Sequence, residues 1–599
     1  MAGSLIVICS SFTIGFLILQ ALKIRTEGLM RLILAISSGL CFWCFFLFLA
    51  GHLYLFNTGF LTAVSILPAL FLPVIILRIK PRINLPMLIR NATLFEKLLA
   101  GAIFVILILS FLSSFSPVSG GIRNDEVHNH LSMPKEWLRN AGIVPLPFAI
   151  SYQAGNAHLL FLLASVFSAE SGPKLISWFA FVLCTAAVYS ISRLYMKRET
   201  ALLAATLVAV NPLIFRGAPT AFVDELSSLF VIVPVLLVSL YSRKRDISYL
   251  LLSSLLLGTG CGTKPTNVLY AFSIIVLLVL VLLKREKAAQ ALKTGLFLST
   301  FTVLFASPWI VRTYLYTGSP VFPPPLFWIE KFGIHSFFVN FVPYSIGEVN
   351  AFYDYCTSRY GDYTRNLIQA VRFPWDLTMN PENFQIGDSI GTMMLSFLPF
   401  IFLAPGSVPL FIPAAAGLSS FLIYFLVLPE ARYYMAAFML ISPLIAKTVE
   451  HLAEKPLLKH LVNAVLFINV LFSLLVAARI TLPKIRHLTG EARENYRLAH
   501  IPYCETFNYI KNHSIDNVTI FYFHPVFYYL PCDYQIRSSL DALPDTSDTS
   551  YVLDIDFSQI LDRDFSVQNR SFMLQSTPEN AELAFEGPDA RLYRFIRKK

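Results

Sequence analysis

Charge is what this chain has little of. Only 14% of its 599 residues are Asp, Glu, Lys or Arg, whereas 56% are hydrophobic and 52 are Phe. Soluble proteins of this length carry a larger share of charged residues. Many apolar runs also reach the roughly 20 residues that a helix needs to cross a bilayer. The composition therefore excludes an ordinary soluble protein and predicts one that crosses a membrane many times.

The chain also lacks the cysteine spacing of a metal site and a cleavable leader. Most of the eight Cys lie in or beside apolar runs, where Cys is usually a small core residue. Cys504 and Cys532 fall in a polar tail, and they would be able to form a disulfide if that tail is extracytoplasmic. The first apolar run has no basic segment before it and is followed by Lys23 and Arg25, so we expect it to be retained as a helix.

Basic residues indicate how the chain crosses the membrane. The net charge of +10 does not indicate a nucleic-acid partner here, because Lys and Arg of membrane proteins concentrate in cytoplasmic loops. Alternate loops of this chain carry the Lys and Arg clusters, which places both termini outside. About fourteen transmembrane helices are predicted, near residues 4–22, 30–54, 60–79, 97–116, 174–194, 200–215, 226–242, 247–263, 266–283, 295–313, 388–404, 407–428, 433–447 and 460–480.

The predicted fold is an α-helical polytopic membrane protein with a small C-terminal extracytoplasmic α/β domain. Alternating apolar residues predict strands within 518–523, 551–555 and 592–596, and a helical pattern lies around 505–512. In the first large external loop we expect an amphipathic helix near 126–140 and an interfacial or re-entrant helix near 155–169. The parts are N-terminal transmembrane helices (1–116), this loop (117–173), a transmembrane core (174–313), a second external loop (314–387), C-terminal transmembrane helices (388–480) and the α/β domain (481–599).

The segment from Arg123 to Leu131 concentrates polar chemistry. It holds an Arg, two His and the carboxylates of Asp125 and Glu126 directly after an apolar run. Carboxylates near a hydrocarbon boundary are costly unless they are paired, hydrated or functional. One interpretation is a solvated loop that leaves a helix. The preferred interpretation is an active site at the membrane edge.

Further ionisable residues fall at the external ends of predicted helices. They are Arg216, the pair Asp224 and Glu225, Lys264, Arg312 and Arg432. Cations beside carboxylates at one water–lipid boundary suit a reaction on a lipid-linked phosphate. The cations would stabilise the leaving phosphate, and one carboxylate would act as a general base.

Each of these residues also has a structural alternative. The acidic pair would stabilise a helix that starts near Leu226, and the basic side chains would extend to the interface. His128 and His130, with Asp125 and Glu126, would be able to bind a metal, but two His two positions apart do not share one helical face. No metal site is predicted, and a divalent ion stays an open alternative.

Five sequence blocks, in this order, resemble the GT-C polytopic glycosyltransferases, in particular bacterial members related to family 39 and the protein O-mannosyltransferases. The blocks are Asn124–Leu131 with Trp137–Ile143, Ala221–Leu226, Gly262–Pro265, Pro308–Arg312 with Thr317–Pro323, and Ala431–Tyr434. Two positions depart from the pattern. Many relatives have Tyr where this chain has Asn129 and Pro265.

The resemblance implies an inverting transfer of a sugar from a polyprenyl-phosphate donor to an extracytoplasmic acceptor, which would be a glycan, a lipid or a protein. Asp125 would be the general base, and Glu126 would orient it or act as a second carboxylate. Lys264, Arg312 and Arg216 would bind the donor phosphate. Asp224, with Glu225, would form a second acidic site for donor phosphate or metal. The resemblance also implies a bacterial inner-membrane protein that contacts membrane lipid.

Two other classes of function stay open. A transporter or flippase of lipid-linked sugars would commonly show two related halves and broken helices at the middle of the membrane. In this sequence the ionisable residues gather at one predicted face and a folded external domain follows, which favours an enzyme. A membrane scaffold that binds a partner through its external domain is the third alternative.

Overall fold

The computed structural model describes most of the chain. The described residues are 2–79, 92–118, 125–146, 149–317, 320, 366–380, 389–404, 409–427, 429–501, 503–521, 525–536, 549–555, 574, 578, 581–587 and 590–596. Most of the predicted second external loop, 314–387, lies outside the described residues, as do Asn124 and all but two residues of the block Thr317–Pro323.

Helices fill the described part of the chain up to residue 317. They are α1 (Ala2–Ala21), α2 (Gly28–His52), α3 (Thr58–Leu70), α4 (Leu72–Ile79), α5 (Leu94–Ser113), α6 (Ser132–Arg139), α7 (Asn156–Ser165), α8 (Ser171–Arg193), α9 (Arg198–Ala209), α10 (Pro212–Gly217), α11 (Asp224–Lys244), α12 (Ile247–Cys261), α13 (Asn267–Leu283) and α14 (Ala288–Thr317). A π-helical turn, Glu126–Leu131, leads into α6, and a 3₁₀ turn, Ala149–Tyr152, comes before α7. Helices therefore lie at both places predicted for the first loop.

The second half of the membrane region continues with α15 (Leu367–Met379), α16 (Thr392–Phe397), α17 (Phe411–Leu426), α18 (Met435–Ala453) and α19 (Pro456–Arg486). The 3₁₀ turns Leu398–Leu403 and Ala431–Tyr434 follow α16 and precede α18.

Nine helical segments of the described residues are long and apolar enough to cross a bilayer. They coincide with the spans predicted near 4–22, 30–54, 60–79, 97–116, 174–194, 226–242, 295–313, 433–447 and 460–480. The other predicted spans, near 200–215, 247–263, 266–283, 388–404 and 407–428, fall on shorter helices. The prediction of a polytopic helical membrane protein is confirmed.

The span predicted near 200–215 is interrupted. Helix α9 ends at Ala209 and α10 begins at Pro212, where the Asn211 side chain accepts a hydrogen bond from Leu213 N at 3.1 Å. Proline disfavours the helical conformation of the residue before it, and proline itself suits the first position of a new helix. The apolar run alone therefore did not predict the turn that Pro212 and the Asn211 cap produce.

Close helix contacts and one helix that is buried over most of its length organise the core. A Cβ atom on Gly15 of α1 would lie 1.7 Å from the Ala35 carbonyl oxygen of α2, so only glycine permits this contact. Helix α11 is buried at every position from Asp224 to Tyr241. Its first residue, Asp224, therefore lies inside the protein, and the candidate site is built around this end.

A small domain follows α19. It contains α20 (Gly490–His500), α21 (Cys504–Asn512), β1 (Asn517–Ile520), β2 (Asp533–Ile536), β3 (Thr549–Ile555), β4 (Ala581–Glu586) and β5 (Ala590–Ile596), with a 3₁₀ turn at Pro525–Tyr529. The sheet order is β2-β1-β3-β5-β4. Strand β1 pairs in parallel with β2 and β3, whereas β5 pairs antiparallel with β3 and β4. The predicted α/β domain is confirmed, and β2 and β4 are strands that the sequence analysis missed.

The cysteines of this domain are not joined. Cys504 and Cys532 are both free thiols, so the disulfide that the sequence left open is not formed. Burial raises the pKa of the Cys532 thiol to about 12, and it also raises the pKa of Cys504. Both groups are therefore protonated near neutral pH and poorly reactive.

Candidate active site

Arg432 joins two carboxylates that are distant in sequence. Its Nη2 donates to Asp125 Oδ2 at 2.8 Å, and its Nη1 lies 3.8 Å from Asp224 Oδ2. Its Nε also donates to Glu430 Oε1 at 3.2 Å. The guanidinium can make these contacts together because its donors form a rigid planar fork. Arg432 is thus the centre of an ion cluster formed by Asp125, Asp224, Lys264, Glu430 and Arg432.

Lys264 completes the cluster from the connection between α12 and α13. Its ammonium donates to Asp224 Oδ1 and lies 4.3 Å from the centre of the Tyr433 ring. Burial lowers the pKa of the Lys264 ammonium, although the neighbouring Asp224 opposes this effect. The Asp224 side chain is only 2% exposed, so its charge depends on the two cations.

Asp125 is the more accessible of the two carboxylates. Its side chain is 16% exposed, against 2% for Asp224. It stands at the start of the π-helical turn, and residues 125–131 are called the Asp125 turn below. Such π-turns are rare and frequently occur at functional sites.

Glu126 points to different partners. Its Oε1 accepts from Ala221 N at 2.8 Å and lies 3.7 Å from the Lys174 ammonium of α8. Lys174 also donates to the carbonyl oxygens of Ser116 and Pro117, at 3.0 and 3.3 Å. Glu126 and Lys174 are 1% and 2% exposed, so this is a buried pair that fixes the Asp125 turn on the membrane helices. The structure therefore places the two consecutive acids in separate environments.

The second acidic pair is divided in the same way. Glu225 is fully buried, and a Cβ atom on Gly217 would lie 2.3 Å from its Oε1. Neither Glu225 carboxylate oxygen has a hydrogen-bond partner in the part of the chain that the structure describes. Glu225 is not a member of the ion cluster, in contrast to Asp224.

Two histidines lie beside the cluster. His130 Nδ1 and His158 Nε2 are 2.9 Å apart, and both rings are buried. Burial lowers the pKa of His130 to about 4, although Asp125 and Asp224 raise it. His130 is therefore neutral near pH 7 and donates or accepts a hydrogen bond according to its tautomer.

Arg312 lies in a separate aromatic pocket. Its Nη1 donates to the Ser151 carbonyl at 3.1 Å, and its guanidinium lies 5.4 Å from the Trp309 ring and 5.1 Å from the Tyr316 ring. Arg312 is 2% exposed, and its Nε and Nη2 have no hydrogen-bond partner among the described residues. The described residues also place no carboxylate within 4.0 Å of it. Within the described part of the chain, two buried donor nitrogens of Arg312 are therefore open to an anionic group.

Trp309 links the Arg312 pocket to the connection that holds Lys264. Its Nε1 donates to Asn156 Oδ1 at 2.6 Å, and Asn156 Nδ2 donates to the Thr259 carbonyl at 3.0 Å. A Cβ atom on Gly262 would lie 2.5 Å from Asn156 Nδ2. A larger side chain at Gly262, two residues before Lys264, would therefore clash with Asn156.

Arg216 is associated with the surroundings of the Glu126–Lys174 pair through Lys484. It is half-buried in α10 and within electrostatic reach of Lys484, which also faces Lys174 and Glu126. Of the predicted residues, Asp125, Asp224 and Lys264 thus lie in one cluster. Glu126, Glu225, Arg216 and Arg312 lie around it in different contacts.

Sequence reasoning missed three contributors to the site. Arg432 was recognised as a basic residue at a helix end and within the block Ala431–Tyr434, but it was not assigned to the site. Lys174 begins the span predicted near 174–194 and was not considered as a site residue. His158 lay within an apolar run, with no signal that it would meet His130.

No ready-made metal site is present in the described ranges, where groups of three or more His, Cys, Asp and Glu are absent. For a divalent metal ion, the carboxylate oxygens of Asp125 and Asp224 would be the nearest ligands in the ion cluster. Because Arg432 and Lys264 already bind them, a divalent ion would have to displace these cations.

Residues 157–311 match the sequence profile of the family described as dolichyl-phosphate-mannose-protein mannosyltransferase. Among curated proteins no significant match is found. The matched segment includes Asp224 and Lys264.

Solved structures show a similar fold. ArnT from Cupriavidus metallidurans, bound to undecaprenyl phosphate, superimposes with a TM-score of 0.50 at 10% identity, over 83% of this chain and 97% of that one. The oligosaccharyltransferase AglB from Archaeoglobus fulgidus, with an inhibitory peptide and a dolichol-phosphate, matches at a TM-score of 0.37 and 14% identity, over 73% of this chain and 64% of that one. The chain therefore has a membrane fold similar to that of ArnT, and this likeness and the matched profile both support the GT-C resemblance predicted from its sequence blocks.

Proposed function

We propose that the protein is a glycosyltransferase that moves a sugar from a polyprenyl-phosphate carrier to an acceptor outside the cytoplasm. The observation that carries this proposal is the ion cluster, in which Arg432 connects Asp125 with Asp224 and Lys264 pairs with Asp224. Buried carboxylates and cations at helix ends are expensive to maintain in a membrane protein, and this cost is characteristic of functional sites.

In this mechanism Asp125 is the general base. Arg432 pairs with its carboxylate at 2.8 Å, and the partial exposure of Asp125 leaves it accessible to an acceptor hydroxyl. Asp125 takes the hydroxyl proton while the acceptor oxygen bonds to the anomeric carbon of the sugar. The bond between that carbon and the phosphate oxygen breaks, and the carrier phosphate leaves with the electron pair. A single displacement inverts the anomeric configuration.

The phosphate needs cations that are free to receive it. Arg312 has two buried donors without a partner among the described residues, which suits an anionic group. Lys264 would contribute by exchanging part of its contact with Asp224 for the phosphate. Asp224 then acts as the second acidic residue, which holds Lys264 and Arg432 in place. Glu126 positions Asp125 through its contacts to Ala221 and Lys174.

The fold likeness supports the class of carrier. ArnT, which has a similar fold over 83% of this chain, was crystallised with undecaprenyl phosphate bound. The donor would be a related lipid-linked sugar, and the acceptor a glycan, lipid or protein at an inner membrane with the C-terminal domain outside the cytoplasm. A flippase would also bind such a lipid, but it would not need a base beside the sugar, so the test has to measure transfer.

Purified protein in lipid nanodiscs is assayed with radiolabelled polyprenyl-phosphate sugars and a membrane extract as acceptor. Asp125→Asn is expected to reduce transfer by about a thousandfold or more, because the base is lost, while undecaprenyl phosphate still binds. Asp516→Asn, at an exposed residue of the small domain, is the matched control and is expected to keep full transfer. Full transfer by Asp125→Asn would contradict the assignment of the base.

Arg312→Met provides the complementary variant. It is expected to weaken undecaprenyl phosphate binding by about tenfold to a hundredfold, which is the usual effect of removing one charge-assisted contact. Arg285→Met removes an exposed arginine between α13 and α14 and serves as its control. Unchanged binding by Arg312→Met would remove Arg312 from the phosphate site.

A further inference from the structure

The C-terminal domain contacts the first large external loop (117–173) near both of its ends and in its middle. Arg493 Nη1 of α20 donates to the Phe115 carbonyl at 2.9 Å. Arg493 and Arg497 pair with Glu170 at 2.9 and 2.6 Å. Between these two places, Lys135 and Arg139 of α6 contact residues 527–534. The segment that includes Asp125 is therefore held from outside by the domain that follows the last transmembrane helix.

Lys135 makes the most specific of these contacts. Its ammonium donates to the carbonyl oxygens of Phe527, Tyr528 and Leu530 at 3.1, 2.9 and 3.0 Å. An ammonium has three donors, and all three are used. The first two carbonyls belong to the 3₁₀ turn Pro525–Tyr529 and the third to the residue that follows it, where the local dipole is negative. Lys135 therefore caps this turn, and burial lowers its pKa.

Arg139 extends the contact by one helical turn. Its guanidinium lies 3.8 Å from the centre of the Tyr534 ring, donates to the Tyr534 carbonyl and lies 3.7 Å from an Asp533 carboxylate oxygen. Cation–π contact with a stacked guanidinium adds to the hydrogen bond and fixes the orientation of the helix. Helix α6 is thus bound on its outer face at two successive turns.

This contact acts directly on the Asp125 turn. The π-helical turn Glu126–Leu131 runs without interruption into α6, and Ser132 Oγ donates to the Val127 carbonyl across the junction at 2.5 Å. The same π-helical turn packs against the 3₁₀ turn Pro525–Tyr529. On its inner side the turn is fixed by Glu126 to Lys174 and Ala221. Asp125 therefore stands on a short rigid element that is held between the membrane helices and the C-terminal domain.

We propose that the C-terminal domain positions the Asp125 turn for the reaction, with Lys135 as the positioning residue. This proposal goes beyond the proposed function and rests on it only for the kinetic part of its test. A misplacement of about 1 Å in a reacting group is enough to slow a reaction strongly. A domain that only tethered a partner would not need a half-buried lysine whose three donors bind the carbonyl oxygens of Phe527, Tyr528 and Leu530 beside the site.

The test uses the full chain in nanodiscs and compares Lys135→Met with Lys511→Met, which removes an exposed lysine at the end of α21 in the same domain. Hydrogen exchange is measured without any substrate. In Lys135→Met the amides of residues 126–139 are expected to exchange about tenfold faster or more, because the outer contact no longer suppresses local opening. The amides of β1, β3 and β5 are expected to keep their protection, which shows that the domain remains folded.

The kinetic arm measures transfer with a radiolabelled polyprenyl-phosphate sugar. Lys135→Met is expected to lower kcat by about tenfold to a hundredfold with KM for the donor changed by less than about threefold, because orientation and not binding is lost. If Lys135→Met does not fold, Arg139→Met tests the same face with the same readouts. Unchanged exchange in residues 126–139, or a loss confined to KM, would overturn the proposal. Faster exchange with no transfer even by the wild-type protein would leave the positioning contact in place and reject the proposed function.

Discussion

The same kind of ion pair occupies two very different settings in this protein. In the membrane region, Arg432 and Asp224 are 12% and 2% exposed and belong to a cluster of five charged residues. On the sheet of the C-terminal domain, Arg594 and Glu582 face each other across β5 and β4 and are 46% and 51% exposed. Both pairs join a guanidinium to a carboxylate, but their surroundings differ.

The difference in burial distinguishes an exposed surface ion pair from a candidate functional site. An exposed pair contributes roughly 0–1 kcal/mol, because water already solvates both charges. A buried cluster must first lose that solvation, so it is not a source of stability, although removing one member leaves an uncompensated charge. A sequence that retains such a cluster at the ends of membrane helices gains something other than stability. In our proposal that gain is the chemistry of Asp125.

The largest effect is expected when the central cation of the cluster is removed. Arg432→Met leaves Asp125, Asp224 and Glu430 with Lys264 as the remaining cation of the cluster. The free energy of unfolding is expected to fall by about 3–5 kcal/mol, as it does when one partner of a buried pair is lost, and sugar transfer is expected to disappear. Chemical unfolding of the detergent-solubilised protein measures the first effect.

Arg432→Lys sharpens the same experiment. It keeps the charge but loses the planar fork that reaches three carboxylates, so we expect most of the stability and little of the transfer. If Arg432→Met unfolded at the wild-type denaturant concentration, the cluster would not be the buried network described above.

An intermediate effect is expected from pH, through His130. Its pKa is lowered to about 4 by burial, whereas the unfolded value is about 6.5. Between these values the unfolded chain binds the proton first, so stability is complete above about pH 6.5 and falls as the pH decreases toward 4, by at most about 3 kcal/mol. The charged groups that face His130 are Asp125 and Asp224, which raise the pKa, and Arg432 and Lys264, which lower it.

His130→Gln isolates this contribution. The difference in unfolding free energy between the wild-type protein and His130→Gln is expected to change between pH 6.5 and 4 and to be constant above pH 7. A difference that stays constant over the whole range would show that His130 is already protonated, or already hydrated, in the folded protein.

The smallest effect is expected on the sheet. Arg594→Met breaks the exposed pair with Glu582 and is expected to change the unfolding free energy by less than about 0.5 kcal/mol and to leave transfer unchanged. It is also the control for Arg432→Met, because the same substitution is made in the opposite environment. A loss of several kcal/mol at Arg594 would erase the contrast between the two regions.

Periodic features of this protein were predictable because they repeat along the chain. Long apolar runs identified the nine helices of the described residues that are able to cross a bilayer, and alternation identified β1, β3 and β5. Strands β2 and β4 escaped because they are short or carry no clear alternation, as in Asp533–Ile536 and Ala581–Glu586. The break in the helix at Asn211 and Pro212 was not predicted, because hydropathy averaged along the sequence does not detect a short turn.

The sequence by itself determined that the chain is a polytopic helical membrane protein with a small α/β domain, since hydrophobic length and period are properties of neighbouring residues. Its short acidic and basic blocks also indicated Asp125, Asp224 and Lys264 as candidate site residues. Only the tertiary structure decided that Arg432 joins the two aspartates, that Glu126 faces Lys174 instead, and that two donor nitrogens of Arg312 have no hydrogen-bond partner among the described residues. Lys135 is the extreme case, because its partners lie about 400 residues away. Contacts of this kind depend on which helix ends meet in space, and no local pattern of residues encodes that meeting.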